Sequence, residues 1–99
     1  GCTQDQTLPV TLDQLRSSGA GESEVQAGMA GFNAGDMGLK CGEDARALLK
    51  QFCGGAVEAE GQSLLAEHRS YRLFSTPHTT IFAFFDENRR LAGYVMGGQ

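Results

Sequence analysis

Tryptophan is absent from this 99-residue chain, so six Phe and two Tyr supply its large aromatic side chains. Five of the six Phe and both Tyr lie after residue 50. Because aromatic side chains bury the most apolar surface, we predict that the packed part of the domain lies mainly in the C-terminal half. The length is that of one small domain, which can bury a real but modest core.

Cationic residues are scarce, since eight Lys and Arg stand against twelve Asp and Glu and give a formal net charge of −4. A protein that follows a phosphate backbone needs a basic surface, so we expect no nucleic acid as a partner. The basic residues are concentrated only locally, and such a group is typical of a solvated strand face and turn. That group comprises Arg69, Arg72, Arg89 and Arg90.

Long apolar runs are also missing, because no run reaches 18 residues, and we therefore predict no membrane-spanning helix. The chain opens GCTQDQTLPV, with a Cys directly after a Gly and a polar run behind it. No signal peptide precedes Cys2, which predicts a mature or trimmed form. We expect residues 1–10 to form a flexible tether and residues 11–99 to form one domain.

This N-terminus resembles that of a bacterial lipoprotein, in which a small residue precedes the Cys that becomes the acylated N-terminus. The resemblance implies that Cys2 carries a lipid and that acyl chains alone hold the protein at the membrane. The competing interpretation is a tag remnant followed by an ordinary exposed Cys.

Two cysteines remain when Cys2 is set aside, and an oxidising compartment would allow Cys41 and Cys53 to form a disulfide. Geometry argues against the bond if residues 42–53 form one helix, because the Cα atoms would then be ~18 Å apart. A disulfide needs roughly 4.4–6.8 Å between them. A Cys41–Cys53 bond and two free buried thiols both stay open.

Helical periodicity predicts helices over residues 11–17, 23–31 and 43–52, and the last also has acids in its first turn and Lys50 in its last. The apolar residues at helical spacing are Leu12 and Leu15; Val25, Met29 and Phe32; and Ala45, Leu48, Leu49 and Phe52.

The stretch GMAGFNAGDMGLKCG has glycines at 28, 31, 35, 38 and 42, which is also helical spacing. Five glycines would destabilise an exposed helix by ~4–5 kcal/mol, so residues 35–42 are predicted to be a mobile or closely packed connection. Residues 56–65 stay ambiguous between a strand entry and a short turn.

The period changes after residue 65. Alternation and β-branched or aromatic residues predict strands over 67–75, 80–85 and 90–96. Residues 80–85 are apolar on both faces, which indicates a central strand. The strands are joined by a Pro-containing turn at 76–79 and a tight loop at 86–89. The predicted fold is α+β, with N-terminal helices packed on a three-stranded antiparallel meander as a two-layer sandwich.

The hairpin FAFFDENRRL, residues 82–91, resembles that of the SmpA/OmlA family of small outer-membrane lipoproteins, which includes a subunit of the β-barrel assembly machine. In that family an aromatic strand, an acidic-polar turn and Arg-Leu follow one another, and Gly usually stands where this chain has Arg89. The resemblance covers the order of elements over residues 23–96, and the same fold type occurs in the β-lactamase-inhibitor protein.

An apolar sheet face left open by the helices would be a partner site. That face would carry Phe82, Phe84, Tyr94 and Met96, or else Ile81, Phe85 and Val95. With Arg72, Arg89 and Arg90, the first group is our predicted protein-binding surface, for other envelope proteins or for a homodimer through the sheet.

Patterns for catalysis and metal binding are weak, and we predict no enzyme, metal site or cofactor. Cys53 with His68 or His78 could form a nucleophile and base, but no nucleophile elbow accompanies them. The C-x11-C and H-x9-H spacings are not those of zinc sites, and residues 86–88 lack the ligand alternation of an EF-hand.

The predicted function is a periplasmic protein-binding scaffold or assembly accessory, held at the bacterial outer membrane by its lipid. The alternative is a proteinaceous enzyme inhibitor that presents the turn at 76–79 or the one at 86–89.

Overall fold

The computed structural model describes residues 2–41, 43–68 and 70–98, without the side chains of 2–7, 39–41 and 43–44. The described residues form four helices and four strands. In chain order they are α1 (Cys2–Ser17), α2 (Glu22–Ala30), β1 (Gly35–Cys41), α3 (Glu43–Phe52), α4 (Gly55–Glu67), β2 (Ser70–Ser75), β3 (Thr79–Phe85) and β4 (Leu91–Gly98).

The strands form one antiparallel sheet in the order β1-β2-β3-β4. The predicted α+β class is therefore confirmed, but the sheet has four strands rather than three. The additional strand is β1, in the segment predicted to be a connection. It pairs with β2 from Gly35 opposite Ser75 to Cys41 opposite Ser70. Its backbone hydrogen bonds with β2 make it a strand, although its sequence shows no alternation of apolar residues.

Helices cover both faces of the sheet. Alternate residues of β3 enter two separate clusters, and neighbouring strand residues point to opposite faces. Core 1, under α1 and α2, consists of Leu8, Leu12, Ala20, Val25, Met29, Ala34, Phe74, Ile81, Ala83, Phe85 and Leu91. Core 2, under α3 and α4, consists of Ala45, Leu49, Cys53, Leu65, Tyr71, Leu73, Phe82, Phe84 and Val95.

This three-layer arrangement corrects one prediction and refines another. The domain is not a two-layer sandwich with all its helices before the sheet, because α3 and α4 lie between β1 and β2 in the chain. Most buried apolar residues of the described chain do lie after residue 50, but the N-terminal half also contributes, since Leu8, Leu12 and Val25 are fully buried. Two helical layers are needed because β3 is apolar on both faces.

The first helix begins much earlier than residue 11. It runs from Cys2 through an internal Pro9, where a tether was predicted. Proline costs the helix one backbone hydrogen bond, but burial of Leu8 and Leu12 against the sheet offsets that loss. Among the described residues, no helix has both the length and the apolar character needed to cross a membrane.

The fourth helix, α4, was not predicted because Gly54, Gly55 and Gly61 interrupt the pattern. Gly61 is buried, and a Cβ there would lie 2.6 Å from Leu49 Cδ2, so the glycine lets α4 approach α3 closely. Gly61, Leu64 and Leu65 lie at helical spacing, and this signal is recognisable once Gly61 is read as an inward position.

The turn between β3 and β4 is held by Asp86, whose Oδ1 accepts hydrogen bonds from the backbone N–H of Asn88 (2.8 Å) and of Arg90 (3.0 Å). Arg89 takes the left-handed conformation, with φ of 61°. This is the position at which the resembling family usually has Gly.

Replacing Arg89 by Gly is expected to raise the free energy of unfolding by about 0.5–1 kcal/mol, because removal of the Cβ relieves about 1–2 kcal/mol of strain and Gly costs some chain entropy. Arg89→Ala removes the same charge and keeps the Cβ, so it is the control and should give no gain. Urea denaturation measures both, and equal stabilities of the two variants would contradict the prediction.

Candidate protein-binding edge

The predicted apolar patch does not exist as a surface. Phe82 and Phe84 are fully buried in core 2, whereas Tyr94 and Met96 pack against core 1 on the other face. The register explains the error, because Phe82 pairs with Val95, and a bulge follows at Phe84/Phe85. Which residues of β4 share a face with β3 depends on this register, and the sequence does not show it.

The three predicted arginines also differ in role. Arg72 is mostly buried, with 17% of its side chain exposed, and its Nη1 lies 2.8 Å from Asp36 Oδ2. Arg89 and Arg90 are exposed in the β3–β4 turn. Arg72 is therefore part of the fold and is not a free cation at a docking surface.

Asp36 joins three elements through its carboxylate. Its Oδ2 accepts hydrogen bonds from Gln26 of α2 and Arg72 of β2, both at 2.8 Å, and its Oδ1 accepts one from the N–H of Gly38 at 2.9 Å. Partial burial acts to raise the pKa of Asp36, but the hydrogen bonds from Gly38 and Gln26 and the charge of Arg72 outweigh it and lower the pKa below 3.8.

Replacing Asp36 by Asn is expected to cost about 1 kcal/mol of stability at neutral pH, the range of a partly exposed ion pair. Because the pKa is lower in the folded state, this contribution is full above the unfolded-state pKa and is lost as the pH falls through the folded-state pKa. Thermal denaturation at a series of pH values should show that the difference in stability between the wild type and Asp36→Asn becomes smaller in acid. Glu24→Gln is the control. A stability difference between the wild type and Asp36→Asn that does not change with pH would contradict the prediction.

Of the two alternatives left open for Cys41 and Cys53, the candidate disulfide is not formed. Cys53 carries a free thiol and packs against β4, since a Cβ on Gly97 would lie 2.9 Å from its Sγ. Cys41 lies on β1, at the opposite edge of the sheet and at its other end, because Gly97 lies in the same row as Gly35. Three strand spacings (~14 Å) across the sheet and ~20 Å along the strand therefore separate Cys41 from Gly97. The side chain of Cys41 lies outside the described residues. Burial, with the charge of Glu58, raises the pKa of the Cys53 thiol, which makes it a poor nucleophile.

A cleft of about 360 Å³ lies beside the β3–β4 turn. Half of its lining residues are acidic, and the lining comprises Glu22, Glu67, His68, Ser70, Phe85, Asp86, Glu87 and Arg89. His68 Nε2 lies 3.7 Å from Glu67 Oε2. Within the described part of the chain, no group of His, Cys, Asp and Glu is arranged to hold a metal ion. The geometry assigns no ligand to this cleft.

The outer edge of β4 is the feature that can bind another chain. β4 is the last strand of the sheet, and among the described residues no strand pairs with its outer side beyond an isolated bridge between Gly21 and Arg90. The N–H of Leu91 donates to the carbonyl of Ala20 at 2.8 Å, so the α1–α2 linker covers only the beginning of the strand. Residues 92–98 follow, and they read AGYVMGG, without charge or proline.

The opposite edge is built differently. β1 contains a bulge between Asp36 and Leu39, a left-handed Gly38 with φ of 94°, and two charged residues, Asp36 and Lys40. Bulges and charges are the usual means by which proteins prevent edge strands from pairing. Residues 92–98 have no charge to prevent pairing, so the two edges of this sheet differ in their capacity to add a strand.

Tyr94 is fixed beside the open edge. Its Oη donates to Asp13 Oδ1 at 2.8 Å and lies 3.3 Å from the carbonyl oxygen of Pro9, and the Arg16 guanidinium carbon lies 5.9 Å from the ring centroid. Burial and the charge of Asp13 raise the pKa of Tyr94 to about 12. The edge therefore has α1 on one side, and α3 and α4 pack on the other face of the same strand.

The open edge of β4 was not predicted from the sequence, although the sequence contains a pattern that indicates it. A last strand of a meander without charge or proline is a candidate pairing edge, and LAGYVMGG fits that description. Comparisons with known proteins add no further assignment, since no family model, curated protein or solved structure matches the chain. The resemblance to SmpA/OmlA lipoproteins stays a prediction.

Proposed function

We propose that this chain is a non-enzymatic protein-binding module of the bacterial cell envelope, a scaffold or assembly accessory on the periplasmic side of the outer membrane. The observation that carries the proposal is the open, uncharged edge of β4, seven residues long from Ala92 to Gly98. An exposed sheet edge binds proteins by strand addition, in which an extended segment of the partner continues the sheet.

Strand addition at this edge would bind weakly by itself. Each backbone hydrogen bond contributes a net ~0.5–1.5 kcal/mol, whereas association costs at least ~4 kcal/mol. Side chains must therefore contribute, and Tyr94 and Met96, which pack against core 1 on one face of the strand, remain partly exposed. An extended partner segment with apolar residues at alternate positions fits this edge, because its side chains would lie against these two.

An NMR titration with a peptide of alternating Thr and Val, with one Asp at each end, tests the proposal. We expect shift changes in the amides of residues 92–98 that saturate with peptide. Met96→Glu should weaken binding by charge repulsion, and Met37→Glu on β1 is the matched control because Met37 is 55% exposed. Unchanged β4 amides, or equal effects of the two variants, would overturn strand addition at β4.

The alternative function is that of an enzyme inhibitor, and the turn between β2 and β3 favours it. Thr76 Oγ1 accepts hydrogen bonds from the backbone N–H of His78 (3.2 Å) and of Thr79 (2.9 Å). The turn thus holds the exposed Pro77 and His78 in a fixed conformation, and a preorganised loop loses little entropy when it enters an active site. Peptide-induced shifts at 76–79 in place of β4 would favour this function.

The membrane anchor is a separate part of the proposal. α1 begins at Cys2, so an acyl chain on that residue would hold the first turn of α1 directly at the membrane surface. Metabolic labelling of the natural gene product with palmitate should label the wild type and Cys41→Ser, whereas Cys2→Ser should lose both the label and the membrane fraction. An unlabelled wild type would remove the anchor but leave strand addition untouched.

A further inference from the structure

We infer that β4 of a second copy occupies the open edge, so that the protein forms a two-fold dimer in which the two four-stranded sheets become one continuous antiparallel sheet. The inference uses the same edge as the proposed function, so a second copy and a partner segment compete for residues 92–98. A two-fold axis perpendicular to the sheet makes the two β4 strands antiparallel, which continues the pattern that β4 already has with β3.

The sequence of β4 is self-complementary in this arrangement. The open part, residues 92–98, has Val95 at its centre, so the axis that pairs its whole length places Val95 opposite Val95 of the second copy. Tyr94 then faces Met96 of the second copy, twice, and Gly93 faces Gly97. Tyr94 and Met96 lie on the same face of the sheet, because they pair with Ala83 and Ile81 of β3. A Met sulfur against an aromatic ring is a favourable contact.

Charge also permits a second copy at this edge. The chain has a net charge of −4, so two copies repel each other in general, but Leu91–Gly98 has no charged residue. Beside Tyr94, the Asp13 carboxylate and the Arg16 guanidinium of each copy balance each other, with charged atoms 3.3 Å apart, and the carboxylate of Glu60 also acts on Tyr94 through its charge. The Asp13–Arg16 pair therefore adds no net charge beside the axis, and Glu60 is the remaining charge of each copy that acts on Tyr94. At the other edge, β1 itself is charged and bulged.

Sedimentation equilibrium from low-micromolar to millimolar protein tests the inference. We expect the mass to rise from 10.5 kDa towards twice that value. Met96→Glu places a carboxylate against Tyr94 and Asp13 of the second copy and should weaken the dimer about tenfold or more, because charges on an edge strand oppose pairing. Met37→Glu makes the same change on β1 and should leave the dimer constant unchanged.

Hydrogen exchange locates the contact between the two copies. It uses the wild-type protein, so the result does not depend on whether a variant folds. Amides of residues 93–98 should gain protection as the concentration rises, and those of Gly35–Cys41 should not. A monomer at every concentration, an equal effect of the two Glu variants, or concentration-dependent protection on β1 would each overturn the inference. A monomer that still binds the Thr-Val peptide at β4 would overturn the dimer and support the proposed function.

Discussion

Replacing Gly97 by Ala is expected to lower the free energy of unfolding by ~3 kcal/mol or more, the upper range for added atoms in a packed region. A Cβ at this position would overlap the carbonyl oxygen of Phe52 and would lie 2.9 Å from Cys53 Sγ. The overlap is with backbone at the end of α3, which cannot move aside as a flexible side chain can. Because a small domain has only about 5–15 kcal/mol of stability, this change removes a large part of it.

Gly98→Ala is the matched control, since it adds the same methyl group one residue further along β4. No atom lies within 4 Å of a Cβ at Gly98, so the expected change is within about 0.5 kcal/mol. Urea denaturation followed by circular dichroism gives both values. Similar stabilities of the two variants would show that α3 does not lie on β4 at Gly97.

Replacing Phe82 by Ala is expected to cost about 3–5 kcal/mol, as for other large aromatic residues removed from a core. Phe82 is 0% exposed, and its ring centroid lies 5.3 Å from that of Tyr71. The same substitution on an exposed sheet face would change stability by well under 1 kcal/mol. The measurement therefore decides between a docking residue and a core residue.

Phe32→Ala provides the comparison for Phe82→Ala, because Phe32 is only partly buried at the edge of core 1. We expect a loss of about 1 kcal/mol there, in proportion to the smaller apolar area removed from water. Thermal or urea denaturation of both variants suffices. A loss at Phe82 no larger than that at Phe32 would contradict the placement of α3 and α4 over this face.

Local sequence patterns correctly predicted the helices and strands that are stabilised mainly by interactions between residues close in the chain. The helix predicted over 43–52 is α3 (Glu43–Phe52), and that predicted over 23–31 is α2 (Glu22–Ala30). Both have apolar residues at helical spacing, so the same residues that form the helix also bury it. The strand predicted over 80–85 is β3, and its apolar residues on both faces correctly indicated an internal position.

The candidate site could not be predicted in the same way. Phe82 and Tyr94 were placed on one face because the register across the β3–β4 turn was unknown, and a bulge there changes which residues share a face. The covering of both faces depended on α4, whose Gly61 masks its apolar stripe. Because α4 was not predicted, a sheet face that is buried in the structure was predicted to be exposed.

The sequence by itself determined the α+β class, the helices with a continuous apolar stripe and the three strands of the meander, since each follows from the spacing of neighbouring residues. Only the tertiary structure decided that residues 35–41 form a strand, that Cys41 and Cys53 lie at opposite edges of the sheet, and that β4 has the open edge. These features depend on contacts between residues far apart in the chain, and the hydrogen bonds and packing that create them leave no period in the sequence.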